Sequence, residues 1–280
     1  MPDDVHTAEG HAYRRRSPLE AVGAVVSRLV PESGLRRRLV SLYRTALGGG
    51  GGIASTLPGG ETVRVLPEYR FIGWNPVEYA AFRAAAAPGG IALDVGANVG
   101  AYALLLGMWM RPGGRVYAFE PSPPALDGLR RHVEMNGLAG VVHPVAAAVS
   151  DRAGTAALAG VDRQGTSRLA QAAGEGTRTV ETMTIDDFCA REGIAPTFIK
   201  IDVEGWELEA LRGARETIAR GGGGLALFVE MHPTVWRERG LSADDVRAEL
   251  ARQGLRAVPL RPVPDPWVLE GECLRLERAA

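Results

Sequence analysis

The chain has 280 residues, 46% of them hydrophobic and 23% charged, which suits one large globular domain or a domain with an appendage. Its formal net charge of −1 gives no electrostatic reason to expect a nucleic-acid partner. No apolar run approaches the ~20 residues that span a bilayer, the N-terminus is polar, and the two cysteines lack metal-type spacing, so we expect a cytoplasmic protein with reduced thiols.

The first part of the chain is predicted to form a helical extension on a flexible hinge. Apolar residues recur at helical spacing over residues 19–29 and again over residues 35–46. A run of five glycines, Gly48 to Gly52, then forms the hinge. We therefore expect residues 1–52 to be a helical extension and residues 53–280 to be the main domain. The extension is expected to pack on that domain, and a lid over the substrate or an arm of a homodimer is the alternative.

A short strand, a glycine turn and a helix follow one another between Ile91 and Met110. The strand residues form an apolar run bounded by proline and glycine, as a buried strand is. Gly96 and Gly100 then lead into a stretch rich in alanine and leucine that predicts a helix. Glycines let the backbone approach a ligand closely, and a helix N-terminus offers free N–H groups. This combination is typical of the entry to a nucleotide-binding α/β unit.

The residues of this turn favour a cationic ligand over a pyrophosphate. A dinucleotide fingerprint has glycine at three places, but here Asn98 occupies the middle place and Asp94 precedes the turn. A carboxylate beside the loop would repel a pyrophosphate, whereas it suits the sulfonium and amino groups of S-adenosylmethionine. An NAD-dependent oxidoreductase is therefore the less favoured enzyme, and a non-catalytic Rossmann-like binding protein is the alternative outside the enzymes.

Later strands also end in polar residues. Residues 115–119 form a strand that ends before Glu120, twenty residues beyond Gly100, where Rossmann-like folds place an acid on the ribose hydroxyls. Alternating strands and helices predict a mostly parallel, doubly wound sheet whose ligands bind at the carboxyl ends of the strands. The polar residues expected to meet at this edge are Asp94, Glu120, Asp202, Glu230 and His232.

Three regions carry weaker patterns. Residues 62–66 and 69–72 are predicted to pair as short strands, and residues 141–149 to form one strand of the main sheet. Residues 155–176 are small, polar and weakly patterned. This insertion either faces the substrate or is a loose surface excursion.

Four motifs stand in order along the chain. They are Asp94-Val95-Gly96-Ala97-Asn98-Val99-Gly100, Phe119-Glu120-Pro121, Thr184-Ile185-Asp186-Asp187 and Ile199-Lys200-Ile201-Asp202-Val203-Glu204-Gly205-Trp206-Glu207. Together these motifs resemble the FkbM family of methyltransferases over roughly residues 76–233. The resemblance implies a class I methyltransferase fold, with a Rossmann-like doubly wound sheet, and S-adenosylmethionine as the cofactor. It also implies O-methylation of a small-molecule hydroxyl on a natural product or a sugar, with an amine acceptor left open.

The resemblance also implies a cofactor site, residue by residue. The methionine portion would contact Asp94 and the glycine turn, and the ribose hydroxyls would contact Glu120. Asp202 would lie near the transferred methyl group and the ammonium group. Glu78 is a weaker match to a glutamate that the family often carries ahead of its first core strand. The predicted cofactor-binding residues are Glu78, Asp94, Gly96, Ala97, Asn98, Gly100, Glu120, Pro121 and Asp202.

The predicted chemistry needs few groups, because methyl transfer from a sulfonium is an in-line displacement that requires alignment and exclusion of water. A hydroxyl acceptor also has to lose a proton, and His232 is the candidate general base because imidazole titrates near neutral pH. Glu230 is expected to orient that ring or to contact the substrate, and Asp202 completes the catalytic candidates. The alternative is that Asp202, Glu230 and His232 bind a divalent cation that acidifies the hydroxyl, although a metal-free site is favoured. Lys200, the only lysine, is expected to be structural.

Overall fold

The computed structural model describes residues 52–70, 72–160, 167–170, 174 and 176–279. The predicted helical extension and all but the last residue of its glycine hinge lie outside the described residues. Within the described part of the chain, no helix is both long enough and apolar enough to cross a membrane. The division of the chain near residue 53 stays a prediction.

The described residues form strands, helices and three 3₁₀ turns. In chain order the strands are β1 (Ile53–Thr56), β2 (Thr62–Val65), β3 (Ile91–Val95), β4 (Arg115–Phe119), β5 (Val142–Val145), β6 (Ala148–Val149), β7 (Gly154–Ala159), β8 (Arg168–Ala170), β9 (Arg178–Met183), β10 (Phe198–Ile201), β11 (Ala226–Met231), β12 (Leu255–Pro259) and β13 (Glu272–Arg278). The helices are α1 (Pro76–Ala85), α2 (Ala101–Trp109), α3 (Pro123–Met135), α4 (Ile185–Glu192), α5 (Glu207–Arg212), α6 (Arg215–Gly221), α7 (Pro233–Glu238) and α8 (Ala243–Arg252). The 3₁₀ turns are Pro67–Tyr69, Gly222–Gly224 and Pro266–Val268.

A seven-stranded sheet forms the centre of the fold, in the order β5-β4-β3-β10-β11-β13-β12. The first five strands are parallel, β13 is antiparallel to β11, and β12 is antiparallel to β13. The chain therefore starts in the middle at β3, winds outward to β5 and returns to build the other half from β10. The carboxyl ends of β3 and β10 lie side by side at this reversal, where a doubly wound sheet binds its ligands. The predicted α/β fold with a mostly parallel sheet is confirmed.

Helices cover both faces of the large sheet. Successive residues of a strand point to opposite faces, so β10 places Phe198 in one hydrophobic cluster and Ile199 in the other. Phe198 meets Phe82 of α1 edge to face, with ring centroids 5.6 Å apart. The cluster of Ile199 includes Phe188 of α4 and Leu208 of α5. Because both faces are packed, the strand ends and the loops that follow them are held in fixed positions.

Residues 148–183 contribute a second sheet in the order β6-β9-β7-β8. Strand β7 pairs antiparallel with β8 and β9, and β6 pairs parallel with β9. This small sheet has its own core, in which Leu158, Leu169 and Val180 are buried. Where the structure describes the insertion predicted over residues 155–176, the chain is therefore built into a sheet and is not a loose excursion.

Two predicted strand assignments differ from the structure. The prediction that residues 62–66 pair with residues 69–72 is wrong, because β2 pairs with β1. Pro67 has no N–H to donate and begins a 3₁₀ turn instead. The strand predicted over residues 141–149 is divided between β5 in the large sheet and β6 in the small one. Pro144 lies in β5, an edge strand, where a sheet tolerates a residue without an N–H.

Candidate cofactor and active site

The glycine turn after β3 packs directly against the loop after β10. Gly96 has a φ of +82°, and a Cβ atom at this position would lie 1.6 Å from the carbonyl oxygen of Asp202, so only glycine fits. Asn98 has a φ of 50°, and its N–H donates a hydrogen bond of 2.8 Å to Oε2 of Glu120. The first motif is thus held between the ends of β10 and β4.

Glu120 directly follows β4 and is a buried carboxylate, only 6% exposed. Besides the bond from Asn98, Oε1 accepts a hydrogen bond of 2.7 Å from the N–H of Ser122. Burial raises the pKa of Glu120 to about 7. Each carboxylate oxygen can accept more than one hydrogen bond, so the fixed group retains the capacity to bind two neighbouring hydroxyls.

A cavity of about 330 Å³ lies at this edge of the sheet, between the two long motifs and the small sheet. The predicted cofactor residues that line it are Gly96, Asn98, Glu120, Pro121 and Asp202. The predicted residues outside its lining are Glu78, Asp94, Ala97, Gly100, Glu230 and His232. Its wall also includes residues that we did not single out from the sequence, among them Ser122, Leu158, Arg168, Leu169 and Glu204.

Asp94 is a buried carboxylate within β3. It is 1% exposed, and neither of its oxygens has a hydrogen-bond partner among the described residues. Burial raises the pKa of Asp94 to about 6, with the positive charge of Lys200 opposing this shift and the negative charge of Asp202 adding to it. The Ala103 amide also favours the ionised form, although it does not meet hydrogen-bond geometry. An ionised carboxylate in this position is costly without a donor or a cation beside it.

Lys200 supplies a positive charge within this group of acids. Its ammonium group donates a hydrogen bond of 3.0 Å to Oδ2 of Asp202, and its side chain is 4% exposed. Burial by itself would lower the pKa of Lys200, but the surrounding carboxylates raise it above its ordinary value. Glu78 is buried in the first turn of α1. Burial raises the pKa of Glu78, and the positive charge of Lys200 opposes this shift. Lys200 therefore stays charged, in keeping with a structural role.

Glu207, which sequence reasoning did not single out, holds the ring of His232. Its Oε1 lies 2.8 Å from Nδ1 of His232 and also accepts the N–H of Gly205 at 2.8 Å. Its Oε2 accepts the indole N–H of Trp236 at 2.6 Å, and the side chain is fully buried. Glu207 rather than Glu230 therefore forms a hydrogen bond with the ring, and the expected role of Glu230 in orienting the ring or contacting the substrate stays a prediction. No local sequence pattern predicts this contact, because Glu207 and His232 are 25 residues apart and belong to different elements.

The other ring nitrogen of His232 faces carboxylates. Nε2 lies 3.9 Å from Oδ1 of Asp202 and 3.7 Å from Oε2 of Glu204, and both of these residues line the cavity. Oε1 of Glu230 is 3.9 Å from the same nitrogen. Burial by itself would lower the pKa of His232, but the hydrogen bond that its Nδ1–H donates to Glu207 and the negative charges of the surrounding carboxylates raise it to about 10. The ring therefore carries a proton at neutral pH when no further cation is near.

Among the described residues, Asp202, Glu204 and His232 form the one group of acids, histidines and cysteines whose ligand atoms all lie within 4.8 Å of one another. The predicted metal set had Glu230 in place of Glu204. Neighbouring ligand atoms around a divalent cation bound at ~2.1 Å lie about 3 Å apart. The separations of 3.7 and 3.9 Å at Nε2 are wider, and Lys200 already offers a positive charge to Asp202. Among the described residues this group is the candidate metal site, and the preference for a metal-free site stays a prediction.

Comparison with known proteins gives consistent matches to methyltransferases. The methyltransferase FkbM domain matches residues 94–257. The hexuronic acid methyltransferase AglP of Haloferax volcanii is 31% identical over 121 residues, which cover 43% of this chain and 48% of that protein. A protein-L-isoaspartate O-methyltransferase of Aeropyrum pernix is 45% identical over 58 residues, or 21% of this chain and 22% of that protein. The crystal structure of a methyltransferase FkbM from Methylobacillus flagellatus is 19% identical, with coverage of 91% of this chain and 58% of that one and a TM-score of 0.45.

The matches differ in how much of each protein they cover. The chain spans about half the length of the first of these curated relatives and about a fifth of the second. The FkbM domain, in contrast, extends over more than half of this chain. It includes the glycine turn, Glu120, the loop from Asp202 to Glu207, and His232. The chain therefore belongs to the FkbM family of methyltransferases.

Proposed function

We propose that this chain transfers the methyl group of S-adenosylmethionine to a hydroxyl group of a sugar or another natural product. One observation carries the proposal: Asp94, Glu120 and Asp202 stand in or directly after three adjacent parallel strands, β3, β4 and β10. Three acids at this edge suit a ligand that carries positive charges and a pair of hydroxyls. Membership in the FkbM family supports methyl transfer, and the hexuronic acid methyltransferase of Haloferax volcanii supports a sugar acceptor.

The residues present fit this cofactor. Asp202 lines the cavity and can hold an ammonium group, and the buried carboxylate of Asp94, which lies outside the lining and has no hydrogen-bond partner among the described residues, adds negative potential beside it. Glu120 can accept hydrogen bonds from the ribose hydroxyls while the amides of Asn98 and Ser122 fix its orientation. When bound, S-adenosylmethionine supplies a methyl group that is activated by the positive sulfur to which it is attached.

The remaining tasks of the protein are alignment, exclusion of water and removal of a proton. The glycine turn and the small sheet enclose the cavity in which the acceptor is aligned. A hydroxyl in this cavity can lose its proton to Nε2 of His232 through the carboxylate of Glu204, which lines the cavity and lies 3.7 Å from that nitrogen. Glu207 keeps its hydrogen bond to Nδ1–H, so the lone pair of Nε2 points toward the cavity side of the ring.

His232 can act as a base only in its neutral form. Without a ligand, the negative charges around the ring raise the pKa of His232 to about 10. A positively charged group that binds beside Asp202 reduces this negative charge and so lowers the pKa of His232. In this proposal cofactor binding therefore shifts the ring toward its neutral form.

Methyl transfer from isotopically labelled S-adenosylmethionine to a panel of sugars, followed by mass spectrometry, tests the proposal. The wild-type protein should methylate a hydroxyl with EDTA present. His232→Ala should lower kcat by the ~10²–10⁴-fold typical of a lost general base, with little change in affinity for S-adenosylhomocysteine. Full activity in His232→Ala would overturn the assignment of the base. Activity that is lost with EDTA and returns with Mg²⁺ would favour the metal alternative.

A further inference from the structure

The small sheet forms one wall of the cavity. Strand β8 pairs with β7, and Leu158 and Leu169 stand opposite each other in this pairing. Both leucines line the cavity and are buried in the core of the small sheet. Ser167 and Arg168, at the start of the same strand, line the cavity as well. The cavity that Asp202 and Glu204 line is therefore also bounded by β8.

Strand β8 is fixed relative to the loop that carries the acids. The indole N–H of Trp206 donates a hydrogen bond of 2.9 Å to the carbonyl oxygen of Leu169. Trp206 lies two residues after Glu204, so this bond joins β8 to the loop of Asp202 directly. The guanidinium of Arg239 stacks on Trp206 at 3.6 Å from the ring centroid and holds the indole in place. A residue of β8 thus keeps its position relative to the acids.

Arg168 is the single cationic side chain among the described residues that line the cavity, whose other charged groups are Glu120, Asp202 and Glu204. Its NH2 group lies 3.2 Å from Oε2 of Glu238, and the two side chains are 45% and 55% exposed. An ion pair this exposed is weak, so a ligand carboxylate can displace Glu238. The guanidinium is therefore available to a negatively charged group in the cavity.

We propose that Arg168 binds a carboxylate of the methyl acceptor, so that the acceptor is an acidic sugar of the uronic acid class. This inference rests on the proposed function. The three carboxylates of the cavity suit a cationic cofactor but would repel an anionic acceptor. A guanidinium in the same lining compensates for this repulsion, and its planar fork matches a carboxylate in a bidentate arrangement. The carboxylate on Arg168 then directs a ring hydroxyl toward the side of the cavity that carries Asp202 and Glu204.

Two acceptors that differ only at C6 test the inference: methyl glucuronoside, which carries a carboxylate, and methyl glucoside, which does not. The wild-type protein should methylate the glucuronoside with a kcat/KM at least tenfold higher. Arg168→Gln should raise KM for the glucuronoside about tenfold or more, with kcat and the rate on the glucoside little changed, because a charge-assisted bond to the substrate is lost. Glu238→Gln should lower KM for the glucuronoside, since the competing carboxylate is gone.

The two variants should change KM for the glucuronoside in opposite directions, and this distinguishes binding of the acceptor by Arg168 from a purely structural role. If the Arg168–Glu238 pair only stabilises the fold, both variants will act in the same direction and on both acceptors, and the inference is wrong. Arg247→Gln is the matched control, because Arg247 is 46% exposed, pairs with Asp244 at 2.8 Å and does not line the cavity. It should leave both acceptors unaffected.

Binding of S-adenosylhomocysteine, measured by calorimetry on the wild-type protein and on each variant, distinguishes a wrong acceptor class from a wrong proposed function. If the wild-type protein binds it but methylates the glucuronoside no better than the glucoside, or methylates neither, the acceptor class is wrong and the cofactor assignment stands. If the wild-type protein does not bind it, the proposed function itself fails. Unchanged binding in Arg168→Gln, with weaker use of the glucuronoside alone, supports the inference.

Discussion

Oε1 of Glu207 lies 2.8 Å from Nδ1 of His232, and this contact determines which ring nitrogen faces the carboxylates of the site. Glu207 also accepts the N–H groups of Gly205 and Trp236, so both of its oxygens act as hydrogen-bond acceptors. A neutral ring then carries its hydrogen on Nδ1 and leaves the lone pair on Nε2. In the proposed reaction Glu207 is thus a positioning residue, because it orients the ring of His232, the proposed base.

Glu207→Gln should move the acidic limb of the kcat profile to lower pH. The negative charge of Glu207 contributes to the raised pKa of His232, and the ring is active only when neutral, so activity is present above that pKa and lost below it. Removing the charge of Glu207 lowers the pKa of His232 and so extends activity to lower pH. The plateau value of kcat falls because the ring is held less firmly. A kcat profile over pH measures both effects.

Glu209→Gln is the matched control for that profile. Glu209 lies on the same helix, is also largely buried, and pairs with Arg239 at 2.6 Å. Its loss can reduce stability, but it should leave the position of the acidic limb unchanged. An unchanged limb in Glu207→Gln as well would mean that His232 is not the group that titrates.

Binding of S-adenosylhomocysteine should strengthen as pH rises through neutrality. Burial raises the pKa of Glu120 to about 7, whereas hydrogen bonds from ribose hydroxyls favour the ionised carboxylate. Binding therefore lowers the pKa of Glu120 and releases a proton, so Kd should fall between about pH 6 and pH 8. Calorimetry in two buffers of different ionisation enthalpy measures the number of protons released on binding.

Glu120→Gln checks the origin of that proton. The variant should bind about 1–3 kcal/mol more weakly, because charge-assisted hydrogen bonds are lost, and its Kd should depend on pH less than that of the wild type over this range. A wild-type Kd that does not change with pH, or a dependence that is equally strong in Glu120→Gln, would place the titrating group elsewhere.

Gly96→Ala should abolish cofactor binding and destabilise the fold strongly. The added Cβ would stand 1.6 Å from the carbonyl oxygen of Asp202, so the turn after β3 and the loop after β10 have to separate. Gly113→Ala is the control, since Gly113 has the same φ of +82° and its Cβ would meet nothing closer than 3.9 Å. It should cost only the ~1–2 kcal/mol of a left-handed alanine. Equal losses in the two variants, measured by thermal unfolding, would contradict the close approach.

The sequence was sufficient to predict the large sheet and the acids at its edge. The strands around Asp94, Glu120 and Asp202 are short apolar runs bounded by turn residues, and a doubly wound sheet brings their carboxyl ends together. The partnership of Glu207 and His232 depends on the packing of α5 against β11, which no local pattern reports.

The small sheet was also beyond sequence reasoning. Strand β7 is built mostly from glycine and alanine, which are depleted in strands, β8 has only three residues, and β7 pairs with segments on both sides of it. For this reason the sequence did not identify Arg168 as a residue that lines the cavity. The same limit explains the wrong partner predicted for β2, because strand pairing follows from tertiary contacts rather than from local spacing.

The edge of the large sheet that carries Asp94, Glu120 and Asp202 is proposed to bind S-adenosylmethionine, and calorimetric titration of the protein tests this most directly. The predicted result is binding of S-adenosylmethionine and S-adenosylhomocysteine with a micromolar Kd, about −8 kcal/mol, and no binding of NAD. Binding of NAD, with no heat from either of the other two ligands, would contradict the account.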